Sequence, residues 1–580
     1  MEKRDLAIMK KKGFFLGINI TGSSGSWNLE ARRQILYEDC IRQGVKLYFS
    51  IITIGALKQK NQVKGITIAG SNGYGVILGD IIIDATGDGY VAAFAGADYT
   101  YGSEKDGLHM WYSLAQFTEP GKTRNNFTST VKISDLEDYN RAIMVGRRRS
   151  QGFDHGIYIA SRETRHITGE YIITLTDLLK FKKYQDTIAL CFSNYDIKGK
   201  SNSEWINWGL LPPDMTAEIP YRAVIPRGLD NLFVVGKAIS ASHDALPGLR
   251  MQADLQNLGA AIGIAAARCI CEGISIREIN IRKLQEEIVE QGLIPDEIVK
   301  RKLTGIASTD LSILKEWINK PELLDIGYNN VKEADLINGR IPLVELLTNK
   351  DIIPEVTYAF SNSNFMKERL LFARILAWYG LDTSIAVIIA RIKKILANGL
   401  QRRDIQIDCA GIPPDQGAVP EAVHLLYTVN LSKAKAEEML DLIKFVIPKI
   451  KPIILDFMDK ELDLFNYIDA ICCLAEKVAK PDVITYLSIL RDNTILKDLY
   501  CHSNIETVDW AAERKAYLEI RIASALAHCG SLSGFQTLIY YLDDVRVILS
   551  DYAYKSLRKI SKKNFRKQSF IWKTWLSNIE

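Results

Sequence analysis

Two stretches of this chain each run from an apolar segment through a glycine turn toward a helix of small residues, and that pairing constrains the fold more than any other feature. The first is "GDIIIDATGDGYVAAFAGA", residues 79–97; the second joins "NLFVVGKAIS", residues 231–240, to "GLRMQADLQNLGAAIGIAAARCICEG", residues 248–273. Short apolar runs bounded by turn residues read as buried strands. Strand, glycine turn and helix together predict an α/β unit. Glycines at the carboxyl end of such a strand let a ligand lie close to the backbone, or simply make a tight strand-to-helix connection; the residues leave both readings open.

Apolar positions at helical spacing predict a helix from Leu29 to about Gly44, where a glycine ends it. Residues 45–87 read as short β-runs parted by polar turns at Lys60-Asn61-Gln62 and Ser71-Asn72-Gly73, a meander ending in a buried strand from Ile81 to Ile83. Residues 101–221 mix aromatic β-like segments, a charged helix near 135–149 and the dense polar stretch "SRETRHITGEYIIT". Beyond about residue 300 the pattern is helical alone. "RILAWYG" (374–380) and "SALAHCG" (524–530) share a Leu-Ala-x-x-Gly skeleton, and "CCLAEKVAKPDVITYLSIL" (472–490) adds a Leu-Ala helix followed by a second helix. Three to five recurring helical hairpins are expected.

With 47% apolar and 24% charged residues and a net charge of +4 over 580 residues, nothing electrostatic asks for nucleic acid or a membrane as partner. No stretch approaches a membrane span, and the N-terminus lacks the apolar core of an export signal. Nine cysteines without C-x-x-C spacing or scaffold density favour a reducing, cytoplasmic setting. Neither they nor the seven histidines show metal-ligand spacing, so no metal is expected. Lys10-Lys11-Lys12 and Arg147-Arg148-Arg149 read as a chain terminus and a solvated helix end. Ser240, Ser242, His243 and Asp244 are hydrolase residue types, yet sequence neighbours cannot fold onto one another as a triad. Gly87-x-Gly89-x-x-Ala92 matches the dinucleotide fingerprint literally, but no second strand ending in an acidic residue follows it, so it is not read as the pyrophosphate turn.

The blocks "IIIDATGDGYVAAFAGADYTYG", "SRETRHITGEYIIT" and "IPYRAVIPRGLDNLFVVGKAISASHDALPGLRMQADLQNLGAAIGIAAA" together resemble the FAD-dependent oxidoreductase family of two-dinucleotide-binding-domain flavoproteins, over roughly residues 28–300. The C-terminal hairpins resemble HEAT-like repeats more loosely. The resemblance implies FAD as cofactor and hydride transfer to or from a small organic substrate. It places Ala85, Thr86, Gly87, Asp88 and Gly89 beside the cofactor and Gly236 against its ribityl-phosphate portion. Gly248, Leu249, Arg250 and Met251 then bring a helix N-terminus to the flavin ring, where the positive dipole end stabilises a reduced flavin. In this reading His243 is an acid or base near the flavin; the alternative is a loop histidine held by hydrogen bonds. Arg162 and Arg165 would hold a carboxylate or polarise a carbonyl, or else belong to a solvated charge ladder. If extended, that segment points Arg162 one way and Glu163 and Arg165 the other.

Proteins of this type open with a strand, a G-x-G-x-x-G turn and a helix, whereas this chain opens "MEKRDLAIMKKKGFFLGINITGSSGSWNLEARRQ". Gly22-Ser23-Ser24-Gly25 does not replace that turn. The first βαβ unit is absent from the pattern, as in one part of a split protein, a truncated reading frame, or a flavoprotein shell without cofactor. The expected architecture is an α/β FAD-binding domain, incomplete at its N-terminus, from 1–100 and 222–300, with an inserted α+β substrate domain at 101–221. A helical connector at 301–365 and an all-α HEAT-like repeat domain at 366–580 follow. The alternative to a flavoenzyme is a cofactor-free relic acting as an interaction scaffold. Expected partners are a small-molecule substrate and either a protein bound by the repeats or a chain supplying the missing unit.

Overall fold

The computed structural model describes residues 29–579 apart from 111, 120–121, 150–153, 194, 196–198, 211–214, 304–308, 326–335, 402–418, 452–463, 493–494 and 504–509. Lys10-Lys11-Lys12 and Gly22-Ser23-Ser24-Gly25 lie outside the described residues. Helix α1 (Leu29–Arg42) stops just before Gly44, whose φ of 71° is left-handed. Strands β1 (Ile51–Gln59), β2 (Gln62–Gly70) and β3 (Gly73–Leu78) form the antiparallel meander, turning where the polar dipeptides predict. Next come β4 (Ile82–Asp84) and the short helix α2 (Tyr90–Phe94).

Strand β4 starts one residue later than the sequence reading and is less buried than a central strand, with Ile83 39% exposed. Its surroundings explain this. Among the described residues β4 pairs only with β12 (Leu232–Val234), in parallel, with Ile82 opposite Leu232 and Asp84 opposite Val234. Among the described residues the other edge of β4 is therefore unpaired, while its pairing with β12 sets both glycine turns at the same end of the sheet.

Between these strands the chain builds a second layer. β5 (Tyr99–Tyr101) pairs with β9 (Arg165–Ile167), and β6 (Tyr112–Glu119), β7 (Lys122–Ser129) and β8 (Asp154–Ala160) form a sheet in the order β7-β6-β8, with α3 (Leu136–Arg149) inserted before β8. After α4 (Leu175–Leu179), β10 (Thr187–Ser193), α5 (Glu204–Trp208) and β11 (Met215–Pro220), the chain returns to β12 and then forms α6 (Gln252–Glu272) and α7 (Ile281–Glu290). Leu258, Ala261, Ile262, Ala265 and Cys269 make the buried stripe of α6, at the spacing that one helix face requires. One core runs from Met110 through Phe233 and Leu258 to Trp317, Leu346 and Phe372. Residues of the 301–365 segment thus pack in the same core as α6 and β10.

Four short helices, α8 (Asp296–Lys300), α9 (Leu311–Ile318), α10 (Pro342–Leu347) and α11 (Ile353–Asn362), lead into the C-terminal array. The array consists of α12 (Met366–Trp378), α13 (Ile385–Ile395), α14 (Glu421–Leu431), α15 (Ala436–Ile450), α16 (Leu464–Val478), α17 (Ile484–Arg491), α18 (Trp510–His528), α19 (Leu532–Tyr540), α20 (Val547–Ser561) and α21 (Ser569–Ser577). α12, α14, α16, α18 and α20 stack in order, and the intervening helices lie against them as a second layer. Such neighbour-on-neighbour burial is how a helical repeat array closes its core. The recurring Leu-Ala-x-x-Gly pattern has a local cause: Gly380 and Gly530, with φ of 78° and 88°, end α12 and α18 in the left-handed conformation that a helix C-terminus favours. No helix among the described residues is long and apolar enough to cross a membrane.

Candidate functional site

The first glycine turn is built by Asp84. Its buried carboxylate accepts hydrogen bonds from the Thr86 N–H at 3.1 Å, the Thr86 hydroxyl at 2.7 Å and the Ala92 N–H at 2.9 Å. A buried carboxylate is tolerated when donors of this kind surround it, and here they tie the strand to α2. Gly87 and Gly89 take φ of 76° and 65°. Gly89 also has no room for a side chain, since a Cβ there would come within 2.8 Å of Ile167 Cδ1. Gly236, with φ 83°, lies alongside: a Cβ on it would sit 3.7 Å from Gly87 Cα. Ala85 and Thr86 are exposed above this bare backbone.

Two distant segments converge on Asp88. Its carboxylate accepts from Ser161 Oγ at 3.2 Å, Thr164 Oγ1 at 2.7 Å and Lys237 Nζ at 2.5 Å. Its backbone carbonyl accepts from the Arg165 guanidinium at 3.1 Å, and Lys237 Nζ also reaches the Gly87 carbonyl at 2.7 Å. Arg165 spreads over the rings of Tyr90 and Tyr99, 4.9 and 5.2 Å from their centroids. Arg165 therefore braces the turn, while Arg162 lies partly buried in the preceding loop. The expected strand alternation does not apply here, because β9 begins only at Arg165; Glu163 and Arg165 serve two different clusters.

Glu163 is the centre of the second cluster. One of its oxygens accepts from His166 Nε2 at 2.6 Å and His243 Nδ1 at 2.7 Å, and the other accepts from the Met110 N–H at 2.7 Å. His243 Nε2 donates to the Lys200 carbonyl at 2.9 Å. Both ring nitrogens of His243 face acceptors, which calls for the imidazolium form. Burial alone would lower its pKa, but the Glu163 carboxylate overrides burial and pushes it up to about 10. Burial would likewise raise the Glu163 pKa, yet His243 and His166 hold it well below the usual carboxylate range. The structure thus places His243 as a buried, hydrogen-bonded cation that anchors the segment before α6.

At that segment Gly248 and Leu249 turn inward, Gly248 against Leu178, where a Cβ would come within 3.0 Å of Cδ1. Arg250 and Met251 are partly buried, and Gln252 and Ala253 are exposed at the start of α6. Met251 supplies no side-chain cap. The positive end of a 21-residue helix therefore starts without a side-chain N-cap, and the Asp254 carboxylate on its first turn accepts from the Phe192 N–H at 3.0 Å.

Sequence reasoning missed Lys237 and Glu163. A signal existed for Lys237, a cation next to the glycine of the second turn. Glu163 gave none, because Met110 and His243 are 53 and 80 residues away from it.

The family described as FAD dependent oxidoreductase matches residues 17–155 and 135–288, which include both glycine turns, the Asp88 cluster and the Glu163 cluster. No curated protein and no solved structure matches the chain. Members of the matching family bind FAD. Over residues 17–288 this chain is therefore similar to the FAD dependent oxidoreductase family.

Proposed function

We propose that this chain is a flavin-dependent oxidoreductase that moves a hydride between a small organic substrate and FAD. The observation that carries the reading is the meeting of all three family blocks at Asp88, beside the paired glycines Gly87 and Gly236. The residues present suit FAD. Left-handed Gly87 and Gly236 offer backbone with no side chain, Lys237 is already paired with Asp88 and braces that turn, and the start of α6, which has no side-chain N-cap, suits an electron-rich ring edge. Bound there, FAD would supply the hydride-carrying group. Ala85, Thr86, Gly87, Asp88, Gly89 and Gly236 would hold its phosphate side. Arg250 and Met251 would sit at the helix end facing the ring, and Arg162 would meet a substrate carboxylate. Glu163 and His243 would hold these segments in register. Eight described cysteines are free thiols, in keeping with a reducing cytoplasm.

The edge of β4 that pairs with none of the described strands favours a second component. Ile52, Tyr74, Val76 and Leu78 share one face of the meander and are exposed, with the small residues Ala69, Thr67 and Gly65 between them. A chain carrying a strand, a G-x-G-x-x-G turn and a helix would extend the sheet and cover that face. The cofactor-free scaffold is the competing reading.

The visible absorption spectrum of the purified chain, before and after adding FAD and after gel filtration, separates these readings. Flavin bands that co-elute with the chain support the enzyme. Flavin retained only after adding the N-terminal segment of a complete family member supports the two-component form. A colourless protein under every condition leaves the scaffold.

A further inference from the structure

We propose that the junction between the α/β half and the helical array is a binding site for a phosphoryl dianion, either free phosphate or the phosphate of a small monoester. A cleft of about 70 Å³ opens there between the loop around Lys105, the segment at Lys200 and helices α16, α18 and α20. At roughly 30 Å³ per water it holds about two waters, the bulk of one tetrahedral oxyanion.

The floor of the cleft is electrostatically closed. Asp469 lies between Lys200 at 2.6 Å and Arg521 at 2.7 Å, and Arg521 also pairs with Glu476 at 2.6 Å. The rim is not. Lys105, Lys555 and Lys559 also line the cleft, and none of the three makes an ion pair among the described residues. Lys555 and Lys559 are one turn apart on α20 and so present like charge from one face, which destabilises a helix unless an anion lies between. The loop is shaped around one of them. Gly107, with φ 80°, lies against Lys555, so that a Cβ there would sit 2.6 Å from the Lys555 Nζ.

A second observation points the same way. Ser556 is only 7% exposed, lines the cleft, and makes no hydrogen bond among the described residues. Its hydroxyl still reaches the solvent of the cleft, so it is open to donate to an anion that enters there. Across the whole lining, five lysine or arginine side chains face three carboxylates, an excess of two positive charges that matches a phosphoryl dianion.

Titration calorimetry on the full chain, with inorganic phosphate and separately with glycerol 3-phosphate, tests this. One saturable site per chain is expected, weakened by salt. The Lys555→Gln/Lys559→Gln double variant should weaken it at least tenfold and Ser556→Ala severalfold, whereas Lys237→Gln at the glycine turns should leave it unchanged. Tighter binding of the ester identifies a monoester ligand, and tighter binding of phosphate identifies the free ion. Absence of saturable binding by either probe overturns the proposal. So does equal affinity in wild type and in both Ser556→Ala and the double variant, their folding checked by thermal melts.

Discussion

The sheet end that carries the glycine turns and the helical array at the other end of the chain deal with apolar surface in opposite ways. Around β4 and β12 the buried apolar cluster consists of ten side chains, seven of them Val or Ala, and the neighbouring meander face exposes Ile52 (68%), Tyr74 (86%), Val76 (52%) and Leu78 (71%). The array buries Ile385, Ile388, Ile392, Leu442, Ile443 and many more completely, and even encloses ion pairs. Burial of apolar surface is the main stabilising term. The array therefore has a large closed core, which α12 joins to the core of the α/β half, and the turn-bearing end is thin.

Removing the carboxylate of Asp469 tests the array's side of this contrast most severely. Lys200 would be left as a buried cation without its carboxylate, Arg521 would keep only Glu476, and the Tyr427 hydroxyl, which donates to Asp469 at 2.7 Å, would lose its acceptor. Asp469→Ala should cost about 3–5 kcal/mol, read as a drop in the urea midpoint at unchanged m-value. A loss below about 1 kcal/mol would mean that water reaches the cluster and that the array is less closed than its burial implies.

Two buried histidines sharpen the contrast through pH. His243, at the α/β side, has its pKa raised from 6.5 to about 10. The folded state then binds more protons than the unfolded one between those values, so its stabilisation is full below about pH 6.5 and drains away as pH rises toward 10. His424, on α14, is pushed down to about 3, chiefly by burial, despite its hydrogen bond with the Asn207 carbonyl. There the unfolded state binds the extra proton, so stability is full above about pH 6.5 and lost as pH falls toward 3. Urea unfolding across pH should show His243→Gln flattening the alkaline limb and His424→Gln flattening the acid limb. A swap of the two limbs would show that one of the charge states assigned here is inverted.

Gly89→Ala probes the thin end directly. The substitution forces a side chain onto φ 65° and a Cβ to 2.8 Å from Ile167 Cδ1, so it should cost about 1–3 kcal/mol. Because Gly89 caps α2 beside Asp88, the loss should show first as faster amide exchange in residues 84–95 while the array stays protected. Uniform acceleration along the whole chain would mean that the two ends unfold as one unit.

What could be read from the sequence follows how local its cause is. The meander turns, the end of α1 at Gly44 and the glycines closing α12 and α18 depend on residues within a few positions of one another, and each stands where the pattern predicts. The helical character beyond residue 300 came from spacing alone. The site was legible in its parts and illegible in its joining. Gly87, Asp88 and Gly236 could be singled out, but the bond from Lys237 to Asp88 spans 149 positions and that from His243 to Glu163 spans 80. His243 reads in the sequence either as an acid or base near the flavin or as a loop histidine held by hydrogen bonds, and the choice stays open there because its carboxylate partner is invisible from its own segment. The shared core of residues 301–365 with α6 was hidden for the same reason, since periodicity shows that a face is apolar without showing what it meets.

The smallest expected effect on stability belongs to the exposed meander face. Tyr74, Val76 and Leu78 alternate along β3 and bury little, so Tyr74→Ser, Val76→Thr and Leu78→Ser should each change unfolding free energy by no more than about 0.5 kcal/mol. An apolar face of this kind is nevertheless what proteins otherwise shield against association. The triple variant should therefore self-associate less in sedimentation velocity, and should bind an added strand-turn-helix segment more weakly, at nearly unchanged stability. If it instead loses several kcal/mol, the face is already packed in solution, and the contrast between a thin end and a closed array disappears.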